Sequence, residues 1–160
     1  MKSTSIALAL VLALAPAVSA SAADTLSCPD LRQAVQVGSC PSEAELQYTF
    51  NGYCSDNRRM YQQDAAVCTD YQEYRKLKNI AQWESADGTF TAYLSCALAT
   101  EQVKAARASR IAFTKRGTMG LLACSYGEEI TFTYRSHQAC QVEGDGNCTV
   151  GATACKASCQ

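Results

Sequence analysis

The sequence predicts an α+β protein in which a disulfide-stapled layer of short helices packs on one face of an antiparallel sheet of about five strands. Three observations carry that expectation. Cys28, Cys40, Cys54, Cys68, Cys96, Cys124, Cys140, Cys148, Cys155 and Cys159 all follow an export-type leader, and an even cysteine count in an exported chain reads as a disulfide framework. Helix-start signals accompany the first four cysteines. From residue 79 the apolar period shifts to two, the mark of half-buried strands.

The leader comes first. Lys2 precedes an apolar run from Ile6 to Val18, and Ala20-Ser21-Ala22 offers small residues for cleavage. The run is shorter than a membrane span. Residues 1–22 therefore read as a secretory signal peptide and 23–160 as a single disulfide-rich domain, secreted or periplasmic, with no membrane insertion once the leader is gone. Leu, Ile, Val and Phe make up only about 15% of that domain, a thin supply for a core. Each bridge stabilises by about 2–4 kcal/mol against total domain stabilities of about 5–15 kcal/mol, so the framework decides whether the domain folds.

Between 28 and 78 the cysteines recur at steps of 12 to 14 residues. Pro29 and Pro41 follow the first two, with Gly38 and Gly52 downstream, and proline suits a helix start as glycine suits its stop. Ser42 with Glu45 and Thr69 with Gln72 both fit a capping box. Short helices are expected near 30–37 and 43–50, and a longer one near 70–78. In the last, Val67, Tyr71, Tyr74 and Leu77 or Lys78 recur at helical spacing and read as a buried stripe.

The stretch 79–137 reads as sheet. Asp87-Gly88 is a hairpin signal that pairs Trp83 with Ala92, on the face that carries Phe90 and Leu94. Thr100 is placed to cap a short helix through Arg107, after which Ile111 and Phe113 alternate and Arg116-Gly117 turns into a strand over 118–126. The next connection is decided by faces. A two-residue turn at Gly127-Glu128 would set Ile130, Phe132 and Tyr134 against the side opposite Cys124. A three-residue loop, Gly127-Glu128-Glu129, pairs Tyr126 with Ile130, Cys124 with Phe132 and Leu122 with Tyr134. Arg110, Thr114, Ser125, Thr131, Thr133 and Arg135 then share a wet face. Cys96 and Cys124 point to the core, either bridging each other or tying the sheet to the helices. The tail, 138–160, has four cysteines and little apolar content, so its order is expected to rest on disulfides.

Chemistry is sparse. No Cys-x-x-Cys pair, phosphate-cradling glycine loop, Gly-x-Ser-x-Gly elbow or His-Glu-x-x-His zinc helix occurs. His137 is the single histidine. The tail cysteines lack the paired knuckles of a zinc site. Glu143, Asp145 and Asn147 alternate like early calcium ligands, but Cys148 stands where the sharp turn needs glycine, so a polar turn is expected and no metal. No cofactor is implied. A formal net charge of −1 argues against nucleic acid as a partner.

The leading functional expectation is a non-catalytic binding protein of the inhibitor, immunity or envelope-accessory kind, with another protein as its partner and Arg110, Thr131, Thr133 and Arg135 as candidate binding residues. The alternative is a small secreted hydrolase, a nuclease in which Glu129 or His137 moves protons and Arg135 stabilises developing charge. A structural envelope protein is the third reading.

Overall fold

The computed structural model describes residues 24–148 and 155–160; the leader expected over 1–22 lies outside them. Apolar alternation from Ile80 onward builds most of a six-stranded antiparallel sheet. Its strands are β2 (Val35–Gln36), β3 (Ile80–Glu84), β4 (Thr91–Ser95), β5 (Arg110–Arg116), β6 (Met119–Ser125) and β7 (Thr131–Ser136). They stand in the order β2-β3-β4-β7-β6-β5. A second, three-stranded antiparallel sheet joins β1 (Asp24–Ser27), β9 (Lys156–Cys159) and β8 (Cys140–Val142), with β9 in the middle. The class is the expected α+β one, with nine strands in two sheets among the described residues where one sheet of about five is expected.

Register follows the faces. Trp83 pairs with Ala92, Cys124 with Phe132 and Leu122 with Tyr134, and the Tyr126 amide donates to the Ile130 carbonyl across the three-residue loop. Odd and even positions therefore separate along β3, β4 and β6, while β5 loses the alternation from Ala112 onward. Trp83, Ala92, Leu94, Ile111, Leu122, Cys124 and Phe132 are buried on one face, joined by Leu31, Ala34, Val103 and Ala108 from the connections. The second sheet adds Cys140, Ala157 and Cys159 to the same cluster, and Cys155, just before β9, joins them. The tail thus buries more than its composition suggests, because cysteine itself is a small apolar side chain that packs once bridged.

Residues 30–37, expected as a helix, form a single 3-10 turn, Leu31–Gln33, and then β2. Asp30 caps that turn by accepting from the Arg32 amide. The Tyr126 hydroxyl donates to the Pro29 carbonyl at 2.5 Å. With its ring buried, Tyr126 has its ionisation pushed well above the ordinary tyrosine range. A glycine-dependent contact closes the other end. The Ile111 amide donates to the Gly146 carbonyl at 2.8 Å, and Gly146 has φ +77°, with no room for a Cβ beside the Ile111 carbonyl.

The helices are α1 (Glu43–Tyr53), α2 (Ala65–Thr69), α3 (Tyr71–Lys78) and α4 (Thr100–Ala105). Ser42 and Glu45 make the expected capping box on α1. On α3 the cap is Asp70, accepting from the Gln72 amide, not Thr69, because the carboxylate is placed two residues from the free amide. On α4 Ala99 holds the cap position with no side-chain bond, and Thr100 is already helical. Leu46 on α1, Cys54 at its C-cap, Cys68 on α2 and Tyr74 on α3 are buried outside the main core, in a helical cluster of their own. Leu77, read as part of the stripe, is half exposed. Among the described residues no helix is long and apolar enough to cross a membrane.

All ten cysteines are bridged: Cys28–Cys124, Cys40–Cys96, Cys54–Cys68, Cys140–Cys159 and Cys148–Cys155. Cys96 and Cys124 do not meet each other. Each ties the sheet to the preceding segment, while Cys54–Cys68 staples the helices among themselves.

Candidate functional site

The sequence-derived binding residues lie together on the outer face of the six-stranded sheet. Cross-strand register sets Arg110 beside Ser125 and Ser125 beside Thr131, then Ala123 beside Thr133, then Thr114 beside Leu121 and Leu121 beside Arg135. Arg110 and Arg135 are exposed, whereas Thr131 and Thr133 are half-buried. Thr133 is already engaged, its hydroxyl donating to the Thr91 carbonyl at 3.2 Å. Arg110 sits in an isolated bridge with Asn147, and its charge helps hold the Asp145 carboxyl below the usual range, after the Asn147 hydrogen bonds that dominate the shift. Asp145 accepts from the Asn147 amide and side chain, so the alternating acidic segment forms a polar turn.

The hydrolase residues are not brought together. Glu129 precedes β7 and His137 follows it, so the six-residue strand, about 20 Å long, lies between them. Arg135 and His137 share one end of the strand and Glu129 marks the other. Acid, base and guanidinium do not converge on one scissile bond in this arrangement.

A second surface was not foreseen from the sequence. On the helical cluster an open cleft of about 910 Å³ is lined by Leu46, Tyr48, Tyr53, Tyr74, Arg59 and Lys78, with Pro41, Glu45, Thr49, Asn51 and Gly52 completing its walls. Its floor follows from aromatic packing. Phe50 and Tyr53 on α1 meet Tyr74 on α3 at ring separations of 5.2 and 5.7 Å, and Tyr71 meets Phe50 at 5.3 Å. Such contacts add about 0.5–1.5 kcal/mol each beyond burial. Glu43 clamps the same two helices, accepting from the Tyr71 hydroxyl at 2.5 Å and the Arg75 guanidinium at 3.0 Å. Those two bonds, in that order of importance, lower the Glu43 carboxyl from its ordinary range.

Two cations rim the cleft. The Arg59 guanidinium lies 4.1 Å from the centre of the Tyr53 ring and the Lys78 ammonium 5.2 Å from it, the geometry of a cation held by a ring face. Arg59 opens a wide helical turn, Arg59–Gln63, in which its carbonyl accepts from the Asp64 amide five residues on. That widening brings Asp64 back to the Tyr53 hydroxyl, which donates to it at 2.8 Å and is thereby raised from its ordinary pKa. Neither cation has an ion-pair partner among the described residues, where the pairs are Arg32–Asp30, Arg75–Glu43 and Lys76–Glu73. Glu45, the one acid in the wall, is committed to the Ser42 amide and hydroxyl at 2.7 and 2.8 Å. Tyr48 is 81% exposed.

The signal that pointed to this cleft was present as a tyrosine-rich stretch beside Arg58-Arg59, but periodicity assigns tyrosines to a core without saying which ones water reaches. No protein-family model, curated protein or solved structure matches the chain.

Proposed function

We propose that the chain is an exported, non-catalytic binding protein, acting in the periplasm or outside the cell, whose partner protein docks at the cleft of the helical cluster. Export rests on the leader over 1–22 and on the oxidising compartment that five bridges need. The observation that carries the binding reading is the cleft itself. It combines an aromatic floor, an exposed Tyr48 and two unpaired cations on a scaffold whose ends are stapled by Cys40–Cys96 and Cys54–Cys68. Tyrosine and arginine are the side chains that most often dominate binding energy at interfaces, and a pre-stapled scaffold lowers the ordering cost of association.

The test is affinity capture from the native envelope or medium with the tagged mature chain. Wild-type protein should recover one stoichiometric partner, and the Arg59→Ala variant should recover less than a tenth as much. Equal recovery by both, or no partner at all, would refute the reading.

A further inference from the structure

We propose that the corner of the outer sheet face around Arg116 and Arg135 is a separate binding site for a single anionic amphiphile, an oxyanion head carried on an apolar chain. Arg116, Met119, Leu121 and Arg135 line a recess of about 310 Å³. The register explains it. Arg116 pairs with Met119 on the edge hairpin and Leu121 pairs with Arg135 one strand further in, so all four project from the same face. Two strand spacings and two residues of offset set the arginine backbones about 12 Å apart, with the apolar pair between them. The two arginines thus stand on either side of a floor that water wets poorly.

Charge segregation gives the site its sign. No carboxylate occurs between Glu101 and Glu128, or between Glu129 and Glu143, while those stretches hold Lys104, Arg107, Arg110, Lys115, Arg116 and Arg135. The outward positions of β5, β6 and β7 accordingly carry three arginines and no acid. Neither Arg116 nor Arg135 is ion-paired among the described residues. Guanidinium groups match phosphate and carboxylate with paired hydrogen bonds, and an unbranched thioether beside leucine adapts to an alkyl chain. The recess lies at the small end of ligand sites, about 300–1,000 Å³. It has room for one head group and its first methylenes, and that favours a free amphiphile over an extended lipid surface.

This site is independent of the helical cleft and is tested separately. The full mature chain is titrated calorimetrically with dodecyl phosphate below its aggregation concentration, with inorganic phosphate, with an uncharged dodecyl glycoside, and with phosphatidylglycerol vesicles. Dodecyl phosphate should bind at least tenfold more tightly than either inorganic phosphate or the glycoside. Arg116→Gln and Arg135→Gln should each weaken it about tenfold, and Leu121→Ser about fivefold. Because a substitution can disturb the sheet, amide shifts are also mapped in the wild-type protein, where dodecyl phosphate should perturb Arg116, Met119, Leu121 and Arg135. Perturbation confined to the Tyr48 cleft, binding unchanged in both arginine variants, binding to vesicles alone, or no binding to any probe would overturn the proposal.

Discussion

Replacing both Cys28 and Cys124 by alanine removes the bridge that fastens the chain's first strand segment to the centre of the main core. The separation of the two residues is 96. With Cys40–Cys96 intact, the chain is short-circuited, and the loop that Cys28–Cys124 alone constrains shrinks to roughly forty residues, which chain-entropy reasoning values at about 4 kcal/mol. Both half-cystines are buried, at 2% and 0% exposure, so losing their sulfurs leaves a void that adds about 1 kcal/mol. The total, about 5 kcal/mol, equals the whole stability of a weakly stable domain. Trp83, the single tryptophan, is buried in the same cluster and reports its unfolding by fluorescence. The variant should lose about 5 kcal/mol of unfolding free energy, read as a large fall in the denaturant midpoint. Replacing Cys54 and Cys68 removes a 14-residue bridge confined to the helical cluster, worth about 3 kcal/mol locally. It should shift the Trp83 transition by less than about 1 kcal/mol while reducing helical circular dichroism. Equal shifts of the Trp83 transition in the two double variants would refute the separation of main core and helical cluster.

Further outcomes follow from single contacts. Gly146→Ala forces a Cβ onto the Ile111 carbonyl at a left-handed φ of +77°, and chemical denaturation should show a loss of at least about 2 kcal/mol. Ser42→Ala breaks the capping box on α1 and should cost about 1 kcal/mol, read as helical signal with the Trp83 transition unmoved. The Arg32 side chain and amide, in that order, hold the Asp30 carboxyl at about 2. A depressed carboxyl contributes stability above its unfolded pKa near 3.8 and loses it as pH falls towards 2. Asp30→Asn should therefore flatten the stability profile between about pH 4 and pH 2, and by less than about 1 kcal/mol because the pair faces water. An unchanged acid limb would remove that role.

The sheet was legible wherever one face had to be buried. Trp83 against Ala92 and the three-residue loop after Tyr126 were readable because a slip of one residue turns every apolar side chain outward. Strands β1, β2 and β9 were not, since Asp24–Ser27, Val35–Gln36 and Lys156–Cys159 are two to four residues long and show no period. Their pairing is set by partners distant in sequence, β1 with β9 and β2 with β3. Cysteine spacing marked helix starts near 40 and 68 but not connectivity, because ten cysteines admit on the order of a thousand pairings. The outer-face residues Arg110, Thr131, Thr133 and Arg135 were placed correctly by alternation alone. The cleft was missed for a physical reason: Tyr48 and Tyr74 carry the same side chain on neighbouring helices, yet one is exposed and the other buried. Only tertiary packing distinguishes them. The same limit explains why Glu129, Arg135 and His137 looked like a constellation when counted two by two along a strand, although strand length holds its ends apart.

If recognition is local to the cleft, as proposed, two exposed tyrosines of the helical cluster should respond differently to truncation. Tyr48 lines the cleft, whereas Tyr61, 75% exposed, lies on the same cluster outside its lining. With the captured partner immobilised, Tyr48→Ala should weaken the equilibrium affinity at least tenfold, about 1.4 kcal/mol, and Tyr61→Ala should leave it within twofold of wild type. Equal losses at the two positions, or an unaffected Tyr48→Ala variant, would mean that the partner does not dock at the cleft.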